Sequence, residues 1–433
     1  MNIIADTERR SLNVAIVGGG VVGLTCAVAL LRAGVHVELF EAAARFEEIG
    51  AGVGIGANAA RILASLGVLD AVLAKTQEPG LTMGSFAMKS GMDEHQLIYE
   101  LFTTQYPWIA EDDGVGAHRA SFLDALIAFI DPKFTHFRKR CVSVLTSTTK
   151  SPRQVIHFAD GTTHEADVVI GGDGIKSSVR TAVTGSSETR VAFSNTICYR
   201  GLIPYETVKA AGVKTDFGRP VMFLGKGKHL IVFPVRNQAL INVVAFAADH
   251  TVPIGSVQLP PDQPRVISVP QEEMLKEYEG WGNDVIGLLR CIPKPSKWFI
   301  HVVHPPLESY VKGRIALVGD AAHGMLPHLG AGAGQGIEDA YVIAGLLSNP
   351  QTSPSNVESV LQAYDRIRRP RAQMVWEASY KAGRVYDGFG DHGLSPEGVK
   401  QDIGRQWDPV YKHDIDNDIE QAVAWLKEMS VFA

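Results

Sequence analysis

Apolar positions along this chain follow two different rhythms, and the change between them divides it. Leu12 to Val17 is a short apolar, β-branched run entering Gly18-Gly19-Gly20, an apolar helical stretch follows to Ala33, and Val35 to Phe40 repeats the first pattern. A strand, helix, strand succession of this kind brings the chain back for parallel pairing. Ala166 to Ile170 and Arg314 to Val318 are two more buried-strand patterns, each running into Gly and Asp, so the strands of one sheet are scattered through the sequence. Between about Thr184 and His301 the rhythm becomes that of alternating segments, Met222-Phe223-Leu224, His229 to Phe233 and Leu240 to Phe246, which predict an antiparallel sheet. Pro253 to Pro270 reads as a loop, and Gln351 to Asn356 as a surface connection to a mainly helical tail. No internal repeat is present.

Composition narrows what such a chain can do. With 433 residues and 45% hydrophobic side chains it can bury a core large enough for two closely packed domains. The 41 basic and 47 acidic residues give a net charge of -6 and no basic stripe to neutralise a phosphate backbone, so nucleic acid is not expected as a partner. Cys26, Cys141, Cys198 and Cys291 lack Cys-x-x-Cys spacing; no metal site and no disulfide framework is expected, and free thiols point to the cytoplasm. Met1 to Arg10 is polar and charged, and the longest apolar run, Val21 to Leu31, is interrupted by Gly23 and closed by Arg32. It reads as a core helix of a soluble enzyme with no membrane partner.

Candidate chemistry begins where the first strand turns into its helix. Gly18-x-Gly20-x-x-Gly23 occupies that turn, and Glu41 ends the next strand, 18 residues after Gly23. Glycines let the backbone approach a pyrophosphate, the helix N-terminus turns partial positive charge and free N–H groups toward it, and the acidic side chain accepts from a ribose hydroxyl. This predicts a dinucleotide site and leaves FAD and NAD open, a nicotinamide dehydrogenase being the alternative. Two distal motifs bear on the choice. One is Gly172-Asp173-Gly174-Ile175-Lys176-Ser177-Ser178-Val179-Arg180; the other is Gly319-Asp320-Ala321-Ala322-His323, followed by Pro327, His328 and the run Gly330-x-Gly332-x-Gly334-x-Gly336. Asp320 at a strand end can accept from a ribityl hydroxyl, and a glycine-rich helix start can face the electron-rich edge of a reduced flavin. Singly, the two motifs would read as a tight turn and a packing loop; behind strands and together they favour FAD. His323, inside the second motif, is expected to support its turn.

In this order the three motifs resemble the class A flavoprotein aromatic hydroxylases, from about Leu12 to Arg371. The resemblance implies an α/β protein: a Rossmann-like FAD-binding domain, an inserted, mainly antiparallel substrate domain and a C-terminal helical region. Its expected bounds are 1–183, including substrate-domain strands near 80–105, then 184–301, 302–350 and 351–433. It implies FAD as cofactor, with NADH or NADPH as donor served by the Asp173-Gly174 motif without a second nucleotide fold. Arg119 matches a family arginine near the flavin, Gly332 and Ala333 lie in the loop against the ring, and Gly54 ends the stretch Gly50 to Gly54 that passes beside it.

The implied chemistry is insertion of one oxygen atom from O2 into an electron-rich ring by a flavin hydroperoxide, in a site kept dry. A phenol gains nucleophilicity by losing its proton, so a base or relay group is expected near its oxygen, and histidine suits that role near neutral pH. The resemblance places His229 facing the substrate and Pro327-His328 near the reacting ring, with Met222 and Phe233 lining the same site. Phe233 stands where many relatives carry a tyrosine, which argues against a phenolic relay there. Arg200 matches a functional arginine of fungal relatives; it could hold a carboxylate or phenolate, touch the flavin, or form a structural ion pair. His229, His328 and Arg200 are thus the candidate catalytic residues. Sequence words around Phe233 to Asn237, Ile241 to Phe246 and Met325 to His328 are similar to family members that convert salicylate to catechol and carbon dioxide. The expected partners are a small aromatic acid and O2, in a monomer or homodimer; 3-hydroxybenzoate, 6-hydroxynicotinate and fungal polyketide phenols are alternative substrates, and a flavin reductase without oxygenation is an alternative activity.

Overall fold

The computed structural model describes residues 12–46, 52–76, 86–92, 94–101, 115–147, 152–186, 190–235, 239–260 and 262–433. Its first layer is a six-stranded sheet whose order runs Val311–Lys312, Ile315–Leu317, Val168–Gly171, Asn13–Val17, His36–Phe40, Thr135–His136. All neighbours are parallel except the edge pair Val311–Lys312 with Ile315–Leu317. Strands far apart in sequence meet here because each is apolar on both sides: Val168 to Ile170 and Ile315 to Leu317 are buried. Helices Val21–Arg32 and Gly332–Leu347 join these strands in one apolar core. A three-stranded sheet of Cys141–Thr146, Gln154–Phe158 and Thr163–Ala166 packs alongside, Phe158 meeting Phe40 at 5.0 Å between ring centroids.

The run Ala166 to Ile170 is not one strand. It breaks at Asp167, whose carboxylate accepts the Asn13 N–H at 3.0 Å, so that Thr163–Ala166 enters the small sheet and Val168–Gly171 the central one. Hydropathy does not show this, because Ala166 and Val168 to Ile170 read as one apolar run around a single aspartate.

The second layer is an eight-stranded sheet, in order Val266–Ser268, Ser296–Val303, Val191–Pro204, Leu240–Ala248, Lys228–Val235, Val221–Gly225, Phe86–Ser90, Leu97–Leu101. It is antiparallel apart from the pair Val221–Gly225 with Phe86–Ser90. The stretch read as a loop thus contains an edge strand, Val266–Ser268, formed by pairing to Ser296–Trp298. One face of this sheet (Phe223, Leu230, Val232, Val243, Ala245) packs with Met274, Val285, Leu288 and Leu289 of the short helices Gln271–Glu277 and Asn283–Arg290. Alternation sends the intervening residues to the opposite face. There Met88, Met222 and Leu224 pack with Leu329 and with Val375, Ala382, Val385 and Tyr386 of the 30-residue helix Val357–Tyr386. Among the described residues no single helix is long and apolar enough to cross a membrane.

All four cysteines are free, and three are buried. Burial pushes the Cys198 and Cys141 thiols up to about 12 and Cys26 higher still, keeping them as inert thiols. A thiol reagent is therefore expected to titrate only Cys291 rapidly in the native protein and all four cysteines after unfolding; a second fast native thiol would contradict this packing.

Candidate active site

The predicted fingerprint forms one wall of a cleft of about 530 Å³ lined by Gly18, Gly20, Glu41, Asp173, Gly174, Asp320, Gly332 and Ala333, among others. Gly18 adopts φ +106°, and a Cβ there would lie 2.4 Å from Gly172 O. Gly20 precedes helix Val21–Arg32 in an extended conformation without a side-chain cap, and Val21 and Val22 line the cleft. Helix Gly332–Leu347 enters the same cleft, again with no side-chain cap and no acidic residue in its first turn. Two uncapped helix N-termini converging with Lys139, Arg140 and Lys176 make an anion site, which fits a dinucleotide pyrophosphate.

Glu41 is held by accepting from Gly19 N–H and Ala43 N–H, each at 2.7 Å. Asp173 accepts from the Ser177 hydroxyl at 2.5 Å and from Ser178 N–H at 2.7 Å, so it shapes the Asp-Gly loop while lining the cleft. Burial raises its carboxyl even against those bonds. Asp320 is exposed to the cleft. Gly23 and Gly319 do not line it. They let its walls meet: a Cβ on Gly23 would sit 1.9 Å from Gly18 O, and one on Gly319 2.9 Å from Val22 Cγ2. Gly54 lies in Gly52–Ile55 with open space beside it. Arg119 opens helix Arg119–Ile127, and its side chain lies outside the described residues, as do residues 50 and 51.

Behind the cleft is a buried charge network. Arg368 donates to Asp339 at 2.9 Å, to Glu338 at 2.8 Å and to the Gln335 side chain at 3.0 Å, while Arg371 donates to Glu338 at 3.1 Å. Asp339 also accepts from Gly319 N–H at 2.9 Å and bonds His323 Nε2 at 2.6 Å, so His323 supports the turn. Arg180 ties the two distal motifs together, donating to Ala321 O at 3.0 Å and Ile175 O at 2.6 Å.

Strand register decides which candidate residues share a face. Cys198, Phe246, His229 and Leu224 form one row across the eight-stranded sheet, and Arg200, Val244, Ile231, Met222 and Met88 the next. Phe233, paired to Asn242, follows on the same face. Arg200 is half-buried, its guanidinium 5.2 Å from the centre of the Trp298 ring, and no carboxylate among the described residues forms an ion pair with it. Met222 is packed in the core against the long helix.

His229 is fully buried, stacked on Phe246 at 4.7 Å and edge-on to His328 at 5.1 Å. Its Nδ1 bonds Asp387 Oδ1 at 2.7 Å, and the other oxygen of Asp387 bonds His250 Nε2 at 2.7 Å. His229 Nε2 and His328 Nδ1 are buried with no hydrogen-bond partner. His328 follows the exposed Pro327 in a loop pinned by Ser379, which donates to Leu326 O at 2.6 Å and accepts from Leu329 N–H at 3.3 Å. Burial and the neighbouring His229 hold the His328 imidazole down to about 3, so it is neutral at any ordinary pH. Asp387, His250, Lys139 and Arg140 also stand at these sites, and no sequence motif marks them. Asp387 lies 158 residues from His229, and nothing in either local sequence connects them.

The chain matches the FAD binding domain family over residues 11–198 and 296–379. It is 38% identical to a salicylate hydroxylase of Pseudomonas putida, covering 97% of this chain and 96% of that one. It is 34% identical to a 6-methylsalicylate 1-monooxygenase of Aspergillus terreus, over 88% of this chain and 84% of that protein. A solved salicylate hydroxylase in complex with substrate superposes with a TM-score of 0.84 at 33% identity, covering 95% of this chain and 98% of that one.

Proposed function

This chain belongs to the FAD binding domain family and is an FAD-dependent aromatic monooxygenase, and from that premise we propose that it hydroxylates salicylate at the carbon bearing the carboxylate, in the cytoplasm. Salicylate, O2, NAD(P)H and two protons would give catechol, carbon dioxide, NAD(P)+ and water. The observation that carries this reading is the shared sheet face. Arg200, a half-buried cation without an ion-paired carboxylate among the described residues, lies one row from His229, which with His328 offers bare ring nitrogens. A cation beside proton acceptors suits a ring that carries a carboxylate next to a hydroxyl.

In the cleft, Glu41 would accept from the adenosine ribose, the N-termini of Val21–Arg32 and Gly332–Leu347 would face the charged parts of FAD, and Asp320 would take a ribityl hydroxyl. Bound there, FAD supplies the transfer of electrons from NAD(P)H to O2. The chain contributes the rest. Arg200 orients the carboxylate, His229 takes the hydroxyl proton and so enriches the ring carbon to be attacked, the neutral His328 packs beside it, and Met222, Phe246 and Phe233 keep that face apolar. The free thiols accord with a reducing compartment.

Turnover under labelled O2 tests the reading: catechol carrying one label and released carbon dioxide should both match NAD(P)H consumed. Donor oxidation without catechol would exclude salicylate. The similarity to a 6-methylsalicylate 1-monooxygenase favours a ring-methylated salicylate as second substrate, recognised by a methylated catechol product. His328→Ala is expected to lower product formation roughly 100-fold while FAD content stays at the wild-type level. Loss of FAD in equal measure would remove His328 from the substrate site.

A further inference from the structure

Asp387 caps the long helix Val357–Tyr386, its backbone N–H bonding Gly383 O at 3.0 Å and its carbonyl accepting from Gly227 N–H at 2.9 Å. Both ends of its peptide are fixed, and its side chain is 1% exposed. A carboxylate this deep stays ionised only when cations or donors face it. Burial pushes its carboxyl up, but His229 and His250 outweigh that and leave it below the ordinary range. The two histidines differ in access. The His229 side chain is 0% exposed and that of His250 is 9% exposed, beside the exposed turn of Asp249 and Thr251.

Charged and titratable neighbours come from several elements. His250 has Asp249 beside it and packs on Phe389 at 4.8 Å, a ring that also carries Lys226 and Arg384. His229 meets His328 and, at 5.3 Å, Tyr386, and Tyr278 donates to the carbonyl of the Phe246 on which it stacks. With Nδ1 donating to Asp387, the bare Nε2 of His229 is an acceptor with no protein partner. One carboxylate offsets one imidazolium, and two would leave a buried positive charge.

We propose that Asp387 is a positioning residue that holds His229 as a bare-Nε2 proton acceptor, and that His250 compensates its charge by releasing a proton to solvent as His229 gains one. The proposal rests on the hydroxylation reading above for the source of the proton. The O–H bond of the substrate breaks and an N–H bond forms at His229 Nε2. An N–H bond at His250 Nδ1 breaks, and that proton passes to water. The Asp387 carboxylate stays ionised and the net charge of the cluster is unchanged.

The test uses the FAD-loaded enzyme labelled with nitrogen-15 histidine, with Asp387→Asn, His250→Gln and the double variant, each checked for FAD content. Imidazole nitrogen shifts should show His229 with its proton on Nδ1 in the wild type and a mixture of tautomers in Asp387→Asn. The His229 titration midpoint, and with it the acid limb of kcat/KM for salicylate, should move up by about one pH unit in His250→Gln, where Asp387 serves His229 alone. It should move down by about as much in Asp387→Asn, with kcat at least roughly ten-fold lower. The double variant should follow Asp387→Asn. An unchanged tautomer and midpoint, with activity lowered equally at every pH, would assign Asp387 and His250 a structural role and overturn the proposal. Shifted midpoints without turnover of salicylate would sustain the histidine coupling and place the error in the substrate.

Discussion

Gly23→Ala is expected to yield a colourless protein. The added methyl would sit 1.9 Å from Gly18 O and 3.0 Å from the Gly18 carbonyl carbon. Neither atom is the movable end of a side chain, so helix Val21–Arg32 must shift away from the loop Gly18 to Gly20 or the loop must refold. Either movement withdraws the first-turn N–H groups from the pyrophosphate position, where their alignment supplies the binding. FAD affinity should fall by at least two to three orders of magnitude, on the order of 3–4 kcal/mol. The measurement is flavin absorbance after gel filtration together with titration of the stripped protein. A yellow Gly23→Ala protein of normal affinity would show that the helix is free to slide, contrary to its packing between the parallel strands and helix Gly332–Leu347.

Arg368→Ala is expected to have the largest effect on stability. The guanidinium is fully buried and pairs with Glu338 and Asp339, both also buried. Burial alone would lower the Arg368 pKa, and the two carboxylates more than reverse that. Removing the cation leaves two buried carboxylates with Arg371 as their remaining arginine, at 3.1 Å from Glu338. Loss of one partner from a buried pair costs about 3–5 kcal/mol. For this size of protein that corresponds to a fall in Tm of about 3–6 °C. Because Asp339 also holds Gly319 N–H, flavin affinity should weaken in parallel. Glu377→Ala, which breaks the exposed pair with Lys381, is the control and should change stability by less than about 0.5 kcal/mol. Scanning calorimetry on the FAD-free forms compares the two, and equal effects would mean that the Arg368 network relaxes at little cost.

Much of the cofactor side was legible in sequence because its chemistry is made by short backbone segments. A tight glycine turn, the helix that follows and an acidic residue at the next strand end are each read within a few residues. Register within that unit then carries Gly18 and Glu41 to one cleft. Asp173, Asp320 and Gly332 join them because parallel pairing lines up strand ends that carry the same kind of motif. Lys139 and Arg140 were not legible, since two basic residues between short strands resemble any solvated loop.

The substrate face was legible only in part. Alternation in Lys228–Val235 and Leu240–Ala248 assigns His229 and Phe246 a side, but not which side faces the flavin domain. The docking of Val357–Tyr386 decided that, covering Met222 and Leu224 and closing over His328. The strand Val266–Ser268 inside a proline-rich stretch depended likewise on a partner far along the chain.

By itself, then, the sequence determined the α/β class, the dinucleotide cleft and the family, because these rest on local backbone geometry and hydrophobic period. Only the tertiary structure decided that Asp387 and His250 stand with His229, and that Asp339, paired with Arg368, ties the glycine-rich helix to the Gly-Asp turn. Buried polar groups need partners whatever their separation along the chain, and those partners are chosen by packing.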